Sequence, residues 1–253
     1  MSGNGNTGTL NGTNWTTGNI SGALQFDGVD DYVEVSNSPS IQFNGQAFSV
    51  SAWIKPAATT YASRNIAQKD NMNYGNQFPW QLYHYGTGIY FKVRDNSTTR
   101  QVVVSSGVGT SAYSHIAATF DPAGNMSLYI NGQEKASLNI SGFTFDNSSG
   151  TYPLRIGAMS YTSGFYFNGT IDEVLILNLT LSPEQVNSIY TQGAAGGYFA
   201  YARSCRKSDP DCNGCVDGTE LTAFIGLWKA DSSNPTLKEL MEAIGYWKRG
   251  GCP

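Results

Sequence analysis

Charge is scarce in this chain. Of its 253 residues only 13% are Asp, Glu, Lys or Arg, well below the usual share of globular proteins. The 15 Lys and Arg against 19 Asp and Glu leave a net charge of −4, which excludes the basic field that a nucleic-acid binder needs. Histidine occurs only at His84 and His115. No apolar run approaches the roughly 18 residues of a membrane-spanning helix, so a soluble protein is expected. No secretory leader is expected in this sequence, because Met1-Ser2 runs directly into a Gly/Asn-rich stretch, as at a mature or an added start. Cysteine is absent from the first 204 residues; Cys205, Cys212, Cys215 and Cys252 all lie beyond them.

What is present can build a core. Hydrophobic residues make up 40% of the chain and aromatics 13%, with 29 glycines for turns. The charges divide the sequence. Residues 1–202 hold 8 Lys or Arg and 12 Asp or Glu, whereas residues 203–253 hold 7 and 7. The cysteines follow the same division, and the breaker run Gly193-Ala-Ala-Gly-Gly197 precedes it. The organisation expected is a large module over 1–193, a linker over 194–202 and a small module over 203–253. An even cysteine count confined to the small module suggests disulfides in an oxidising compartment. Nine Asn-x-Ser/Thr sequons, at Asn11, Asn14, Asn19, Asn96, Asn125, Asn139, Asn147, Asn168 and Asn178, agree with that reading, although an Asn/Ser/Thr-rich chain also makes them by chance. A secreted or cell-surface protein is expected.

The large module alternates with period two between turn clusters. Strands are expected at 23–26, 32–35, 48–54, 80–85, 89–94, 101–105, 114–120, 126–130, 154–156 and 171–177. Asp27-Gly28, Asn44-Gly45, Asn131-Gly132 and Asn168-Gly169 supply hairpin punctuation. One helix is expected over 182–190, with Ser182 as cap and Pro183 in the first turn. Many short strands without long helices predict a mainly β chain, an antiparallel jelly-roll β-sandwich. The strings Ala23-Leu-Gln-Phe-Asp-Gly-Val-Asp-Asp-Tyr-Val-Glu-Val35 and Phe48-Ser-Val-Ser-Ala-Trp-Ile-Lys-Pro56 resemble the opening of laminin-G-like, concanavalin A-like jelly rolls. Ser114-His-Ile-Ala-Ala-Thr-Phe-Asp121, Leu128-Tyr-Ile-Asn-Gly-Gln133 and Gly169-Thr-Ile-Asp-Glu-Val-Leu-Ile-Leu177 continue the resemblance in family order, over about residues 10–190. That fold hosts lectins, adhesion modules, spacers and enzymes alike.

Catalysis is not expected. The Glu-x-Asp-x-x-Glu strand of the laminarinase-type members of the superfold is missing. Asp172 and Glu173 are adjacent, so on a regular strand they point to opposite faces, whereas a retaining glycosidase needs two carboxyls about 5 Å apart. His84 has no evident acid partner, and His115 falls in a core-strand block. No Gly-x-Ser-x-Gly elbow or Gly-rich phosphate loop occurs. Binding remains. With Leu82, Ile89, Phe91 and Val93 facing the core, alternation puts Gln81, Tyr83, Tyr85, Tyr90, Lys92 and Arg94 on one opposite face, to which the loops add Tyr61, Trp80, Tyr161, Phe165 and Tyr166. Tyrosine rings beside amide and cationic groups suit a sugar, yet cross-strand tyrosine pairs also serve stability alone. Asp27, Asp30 and Asp31 crowd one turn, where carboxylates repel unless exposed or metal-bound. The resemblance implies a structural calcium near the paired terminal strands, with Asp172 as one ligand and Asp27, Asp30 or a nearby backbone carbonyl completing it.

The small module carries a sharper motif. Asp209-Pro-Asp-Cys-Asn-Gly-Cys-Val-Asp-Gly-Thr-Glu220 places Asp209, Asp211, Asn213, Asp217 and Glu220 at loop positions 1, 3, 5, 9 and 12. Gly214 stands at 6, and the carbonyl of Cys215 at 7 would ligate, as in a twelve-residue calcium loop. Residues 219–229 and 238–248 repeat one another as two amphipathic helices. The loop and its helices resemble an EF-hand-like dockerin, so a small α-helical calcium-binding module is expected, and the resemblance implies a cohesin-like or other surface protein as partner. Four cysteines allow three connectivities. Cys205 with Cys212 and Cys215 with Cys252 is favoured, since the second pair would tie the last helix to the loop; a zinc site at Cys212-x-x-Cys215 is the alternative. The resulting expectation is a non-catalytic, calcium-binding protein that recognises a glycan or cell-surface ligand, with the tail as anchor. The alternatives are a structural spacer of a larger surface protein and the accessory module of a polysaccharide-degrading enzyme.

Overall fold

The computed structural model describes residues 6–20, 22–43, 45–69, 79–94, 98–143, 152–159 and 165–194. The cysteines, the expected calcium loop and helices of the small module, and all of the expected linker but Ala194 lie outside these residues. In chain order the strands are β1 (Gly8–Asn11), β2 (Asn14–Thr17), β3 (Gly22–Asp27), β4 (Tyr32–Val35), β5 (Phe48–Pro56), β6 (Arg64–Lys69) and β7 (Trp80–Tyr85). There follow β8 (Gly88–Arg94), β9 (Thr99–Val104), β10 (Ser114–Phe120), β11 (Asn125–Ile130), β12 (Gln133–Asn139), β13 (Leu154–Ile156) and β14 (Asn168–Leu177). A short 3-10 turn, Pro39–Ile41, and one helix, α1 (Pro183–Ala194), complete the set. The strands form two seven-stranded antiparallel sheets, ordered β1-β4-β13-β6-β7-β8-β9 and β12-β11-β10-β5-β14-β3-β2. This is the sandwich that the alternation predicts.

Alternation also sets the core. Phe48, Val50, Ala52 and Ile54 of β5 meet Ile116, Ala118 and Phe120 of β10 and, from the other sheet, Ile89, Phe91 and Val93 of β8. Their inward faces are closed by aromatic contacts, with Phe48 stacked on Phe43 at 4.6 Å and edge-on to Phe91 at 5.9 Å. At roughly 25 cal/mol per Å2 of apolar surface removed from water, such a face is the main source of stability. Trp80, expected beside the ligand, belongs to this core instead: it is 1% exposed and its ring lies 5.8 Å from Phe48. It is the first residue of β7, as the expected strand over 80–85 has it, and period two within that strand turns it inward with Leu82.

Local chemistry ends the elements as expected in two places. Asn131 (φ 51°) and Gly132 (φ 76°) make the turn between β11 and β12, the two positive φ values of a type I′ hairpin. Ser182 Oγ accepts the Gln185 N–H at 3.3 Å while Gln185 Oε1 accepts the Ser182 N–H at 2.8 Å, a reciprocal cap on α1. Asn168-Gly169 is not a turn. It opens β14, where a Cβ on Gly169 (φ 136°) would collide with the backbone of Lys55, Pro56 and Ala57, so the glycine serves close strand approach.

Candidate functional site

The outer face of the β6–β9 half of the first sheet gathers the polar and aromatic residues that alternation assigns to it. Register places Tyr83 opposite Tyr90 and Gln81 opposite Lys92. On β6, Asn65 stands opposite Tyr83 and Gln68 opposite Gln81; on β9, Gln101 stands opposite Lys92 and Thr99 opposite Arg94. The row extends through Arg155 of β13, whose guanidinium pairs with Glu34 of β4 at 2.8 Å and lies over the Tyr32 ring at 4.4 Å.

Four tyrosines form a continuous ladder on this face. Tyr61 meets Tyr85 edge-on at 5.7 Å, Tyr85 meets Tyr90 at 6.2 Å, and Tyr90 stacks on Tyr83 at 4.9 Å and 17°. Exposure falls along it, from 84% at Tyr61 to 6% at Tyr83. Tyr61 reaches Tyr85 because the Gly86 N–H donates to the Thr60 carbonyl at 3.0 Å, holding the loop against the β7–β8 turn. Lys92 Nζ lies 4.8 Å above the Tyr83 ring, a cation–π distance. Burial lowers the Lys92 ammonium's pKa and raises that of the Tyr83 phenol, the latter aided by Tyr90. Arg94 lies farther along the same strand, half-buried. Beneath the ladder, Gln81 Nε2 donates to Asn65 Oδ1 at 2.6 Å and Asn65 Nδ2 donates to Gln68 Oε1 at 2.9 Å. Gln81, Asn65 and Gln68 are buried, so these amides fix the floor while Tyr61, Tyr85, Tyr90, Lys92 and Arg94 form the accessible part. Tyr61 is among the loop aromatics expected at this face, whereas Asn65 and Gln68 were missed as partners of the strand face: β6 reads as polar and contains a bulge between Asn65 and Ala67, which hides its alternation.

The structure does not bring Asp27 and Asp172 together. Asn168, not Asp172, stands opposite Asp27, and Leu24 stands opposite Ile171. Four residues of strand therefore separate the two carboxylates, about 13 Å. Asp172 lies on the outer face of the second sheet, opposite Trp53, and its Oδ2 accepts the Ile20 N–H at 2.9 Å. Its pKa is raised by burial. Asp27, Asp30 and Asp31 do converge, with one ligand oxygen from each within 4.8 Å of the others. Their hydrogen bonds belong to the turn: Asp27 Oδ1 accepts the Val29 N–H at 2.7 Å and Asp31 Oδ2 accepts the Asp27 N–H at 2.8 Å. Hard oxygen donors at this spacing suit calcium, and the turn's own hydrogen bonds account for the arrangement equally well. Asp27 is held below the usual carboxylate range by the Val29 amide, whereas burial raises Asp31.

Both histidines are buried. His84 lies edge-on to Phe167 at 5.4 Å and His115 lies 5.3 Å from Trp53 under α1. Burial pushes each imidazole down to about 4, so both are neutral core side chains near pH 7. Among the described residues His115 has no hydrogen-bond partner at either ring nitrogen.

Two seven-stranded antiparallel sheets packed face to face define a protein of the jelly-roll β-sandwich class. The family model described as the concanavalin A-like lectin/glucanases superfamily matches residues 27–187, and the chain belongs to this family. No curated protein matches it. Among solved structures, the binding domain of Paraclostridial Mosquitocidal Protein 1 is similar at 18% identity and TM-score 0.61, covering 74% of this chain and 48% of that one. The binding domain of botulinum neurotoxin DC is similar in two complexes. With rat synaptotagmin II the identity is 18%, the TM-score 0.58, and the coverage 74% of this chain and 47% of that one. With SialylT the values are 17%, 0.59, 76% and 47%. The chain spans about half the length of these neighbours, and at such identity the likeness is one of fold.

Proposed function

We propose that this protein is a secreted or cell-surface binding module that recognises a glycan or glycosylated surface ligand through the outer face of β7 and β8, without catalysis. The observation that carries this reading is the ladder Tyr61–Tyr85–Tyr90–Tyr83, which runs from open solvent onto Lys92. Ring faces match the apolar face of a pyranose, while Lys92 and Arg94 are placed to take hydroxyl or carboxylate oxygens at its rim. The family includes lectins as well as glucanases, and the likeness to domains solved with rat synaptotagmin II and with SialylT supports binding. Calcium is part of the proposal, held by the Asp27–Asp30–Asp31 turn and by Asp209, Asp211, Asn213, Cys215, Asp217 and Glu220. The tail would then dock a cohesin-like or other surface protein, leaving the sandwich free to engage its ligand. Biolayer interferometry on immobilised mixed glycans tests the face: wild type is expected to bind, and Tyr61→Ala/Tyr85→Ala to lose about thirtyfold in affinity, as for truncated aromatic anchors. Equal binding by the folded variant would remove the ladder from the ligand site.

A further inference from the structure

The charges on the outer face of the first sheet do not balance. Register places Glu34, Arg155, Gln68, Gln81, Lys92 and Gln101 in one row across it, from β4 through β13, β6, β7 and β8 to β9. The acid of the row is already engaged, because Arg155 pairs with Glu34 at 2.8 Å. Lys92 is left with an amide on either side. Arg94 adds a second cation two residues along the same strand, about 7 Å away, and stands opposite Thr99. No described carboxylate stands opposite either cation. In a chain whose net charge is −4, this half of the face is positive.

Both cations are partly withdrawn from water. Lys92 is half-buried, with its Nζ 4.8 Å over the Tyr83 ring, whose stacking partner is Tyr90 at 4.9 Å. Burial lowers the Lys92 pKa, with no acid to offset it. Arg94 Nη1 donates to Thr99 Oγ1 only at 3.5 Å, and among the described residues its buried Nε has no partner. A partly dehydrated cation without a counter-ion costs free energy that an anion would recover. Such an anion would come to lie beside the half-buried Tyr90 and the exposed Tyr85, so the molecule that carries it has ring faces to cover. A neutral sugar would cover the rings and leave both cations unpaired. A pyranose bearing a carboxylate satisfies both, since its C–H face stacks on an aromatic ring while the carboxylate projects from the ring edge.

We propose that the ladder face selects acidic sugars, uronic acids whose carboxylate pairs with Lys92 and Arg94 while the pyranose ring lies against Tyr90 and Tyr85. This rests on the reading of the face as a glycan site and narrows it by charge. The pairing stabilises the ammonium form that burial disfavours, and it is stronger beside the rings than in open water because the local dielectric is lower. Gln101, exposed on β9 next to Lys92, offers an amide to the sugar's hydroxyls.

The experiment probes the full chain with oligosaccharides of glucuronic, galacturonic and mannuronic acid, each beside its carboxyl-reduced neutral counterpart and a sulfated form of that counterpart. Affinities are read at about 0.05 M and about 0.5 M salt. At low salt at least one acid is expected to bind about tenfold more tightly than its reduced partner, and the ratio to fall severalfold at high salt. Lys92→Gln and Arg94→Gln are each expected to lower the low-salt ratio severalfold, whereas Lys135→Gln, on β12 of the other sheet, leaves it unchanged. The salt dependence is read on the wild type and stands whether or not the variants fold. Equal affinity for acid and reduced partner would overturn selection by charge and keep the face as a site for neutral glycans. No binding by either would overturn this inference together with the glycan reading. Binding of the sulfated form alone, a ratio insensitive to salt, or a ratio unchanged in both folded variants would also overturn it.

Discussion

At the scale of single residues, burial decides which titratable groups matter. His84 and His115 are held neutral to about pH 4 by burial, against an unfolded value near 6.5. Between about 6.5 and 4 the unfolded chain therefore takes up protons that the folded chain refuses, so folding stability falls as pH falls through that window. Burial raises Asp31, Asp172 and Glu173, which opposes the loss only near their own range at the acid end. Thermal melts at pH 7, 6 and 5 are expected to show a declining midpoint, and His115→Gln to flatten the decline. A midpoint independent of pH above 5 would show that the imidazoles are not sequestered. The same scale explains Tyr83. Because it is stacked on Tyr90 and almost wholly buried, Tyr83→Ala is expected to cost about 3 kcal/mol of stability. Chemical denaturation measures this, so ligand-binding variants belong at Tyr61 and Tyr85 instead.

At the scale of elements, the sequence shows those strands that bury one regular face. Tyr32–Val35, Trp80–Tyr85, Ser114–Phe120 and Leu154–Ile156 are read with their observed bounds, because one apolar face leaves a clean period of two. The strands without such a face stay hidden. β2 (Asn-Trp-Thr-Thr) and β12 (Gln-Glu-Lys-Ala-Ser-Leu-Asn) are sheet edges, where exposed polar residues guard the unpaired side and erase the pattern. β1 is short and polar at the other sheet's edge, and β6 hides behind its bulge. The helix extends past the expected Tyr190 to Ala194 because tertiary contact outweighs glycine's low propensity. Gly193 comes so close to Trp53 that a Cβ there would lie 2.7 Å from Nε1. Hairpin chemistry is testable at Gly132, whose φ of 76° and whose contacts with Asn187 and Tyr190 leave no room for a side chain. Gly132→Ala is expected to lose more than about 1 kcal/mol in urea unfolding, and a loss below a few tenths would show that the turn relaxes.

At the scale of the whole molecule, the sandwich and its tyrosine face are legible from alternation, while the depth of the site is not. Period two assigns Gln81, Tyr83, Tyr90, Lys92 and Arg94 to one face and the loop aromatics add Tyr61, but only the folded sheet brings the Asn65–Gln68 amides to it and turns Trp80 away. The proposed calcium contribution acts on the molecule as linkage: an ion that binds only the folded state at about a hundred times its dissociation constant adds about 2.7 kcal/mol. Calorimetry with millimolar calcium against chelator is expected to raise the unfolding temperature of the full chain, with Asp217→Ala/Glu220→Gln removing the part due to the loop at 209–220. Identical melts in both buffers would count against calcium. The central claim, that the ladder face recognises a glycan, is tested most directly by a glycan array probed with the full chain in calcium and in chelator. The account predicts a defined set of glycans bound in calcium and lost by Tyr61→Ala/Tyr85→Ala. No bound glycan in either buffer, with the protein verified as folded, would contradict it and leave the sandwich as a scaffold.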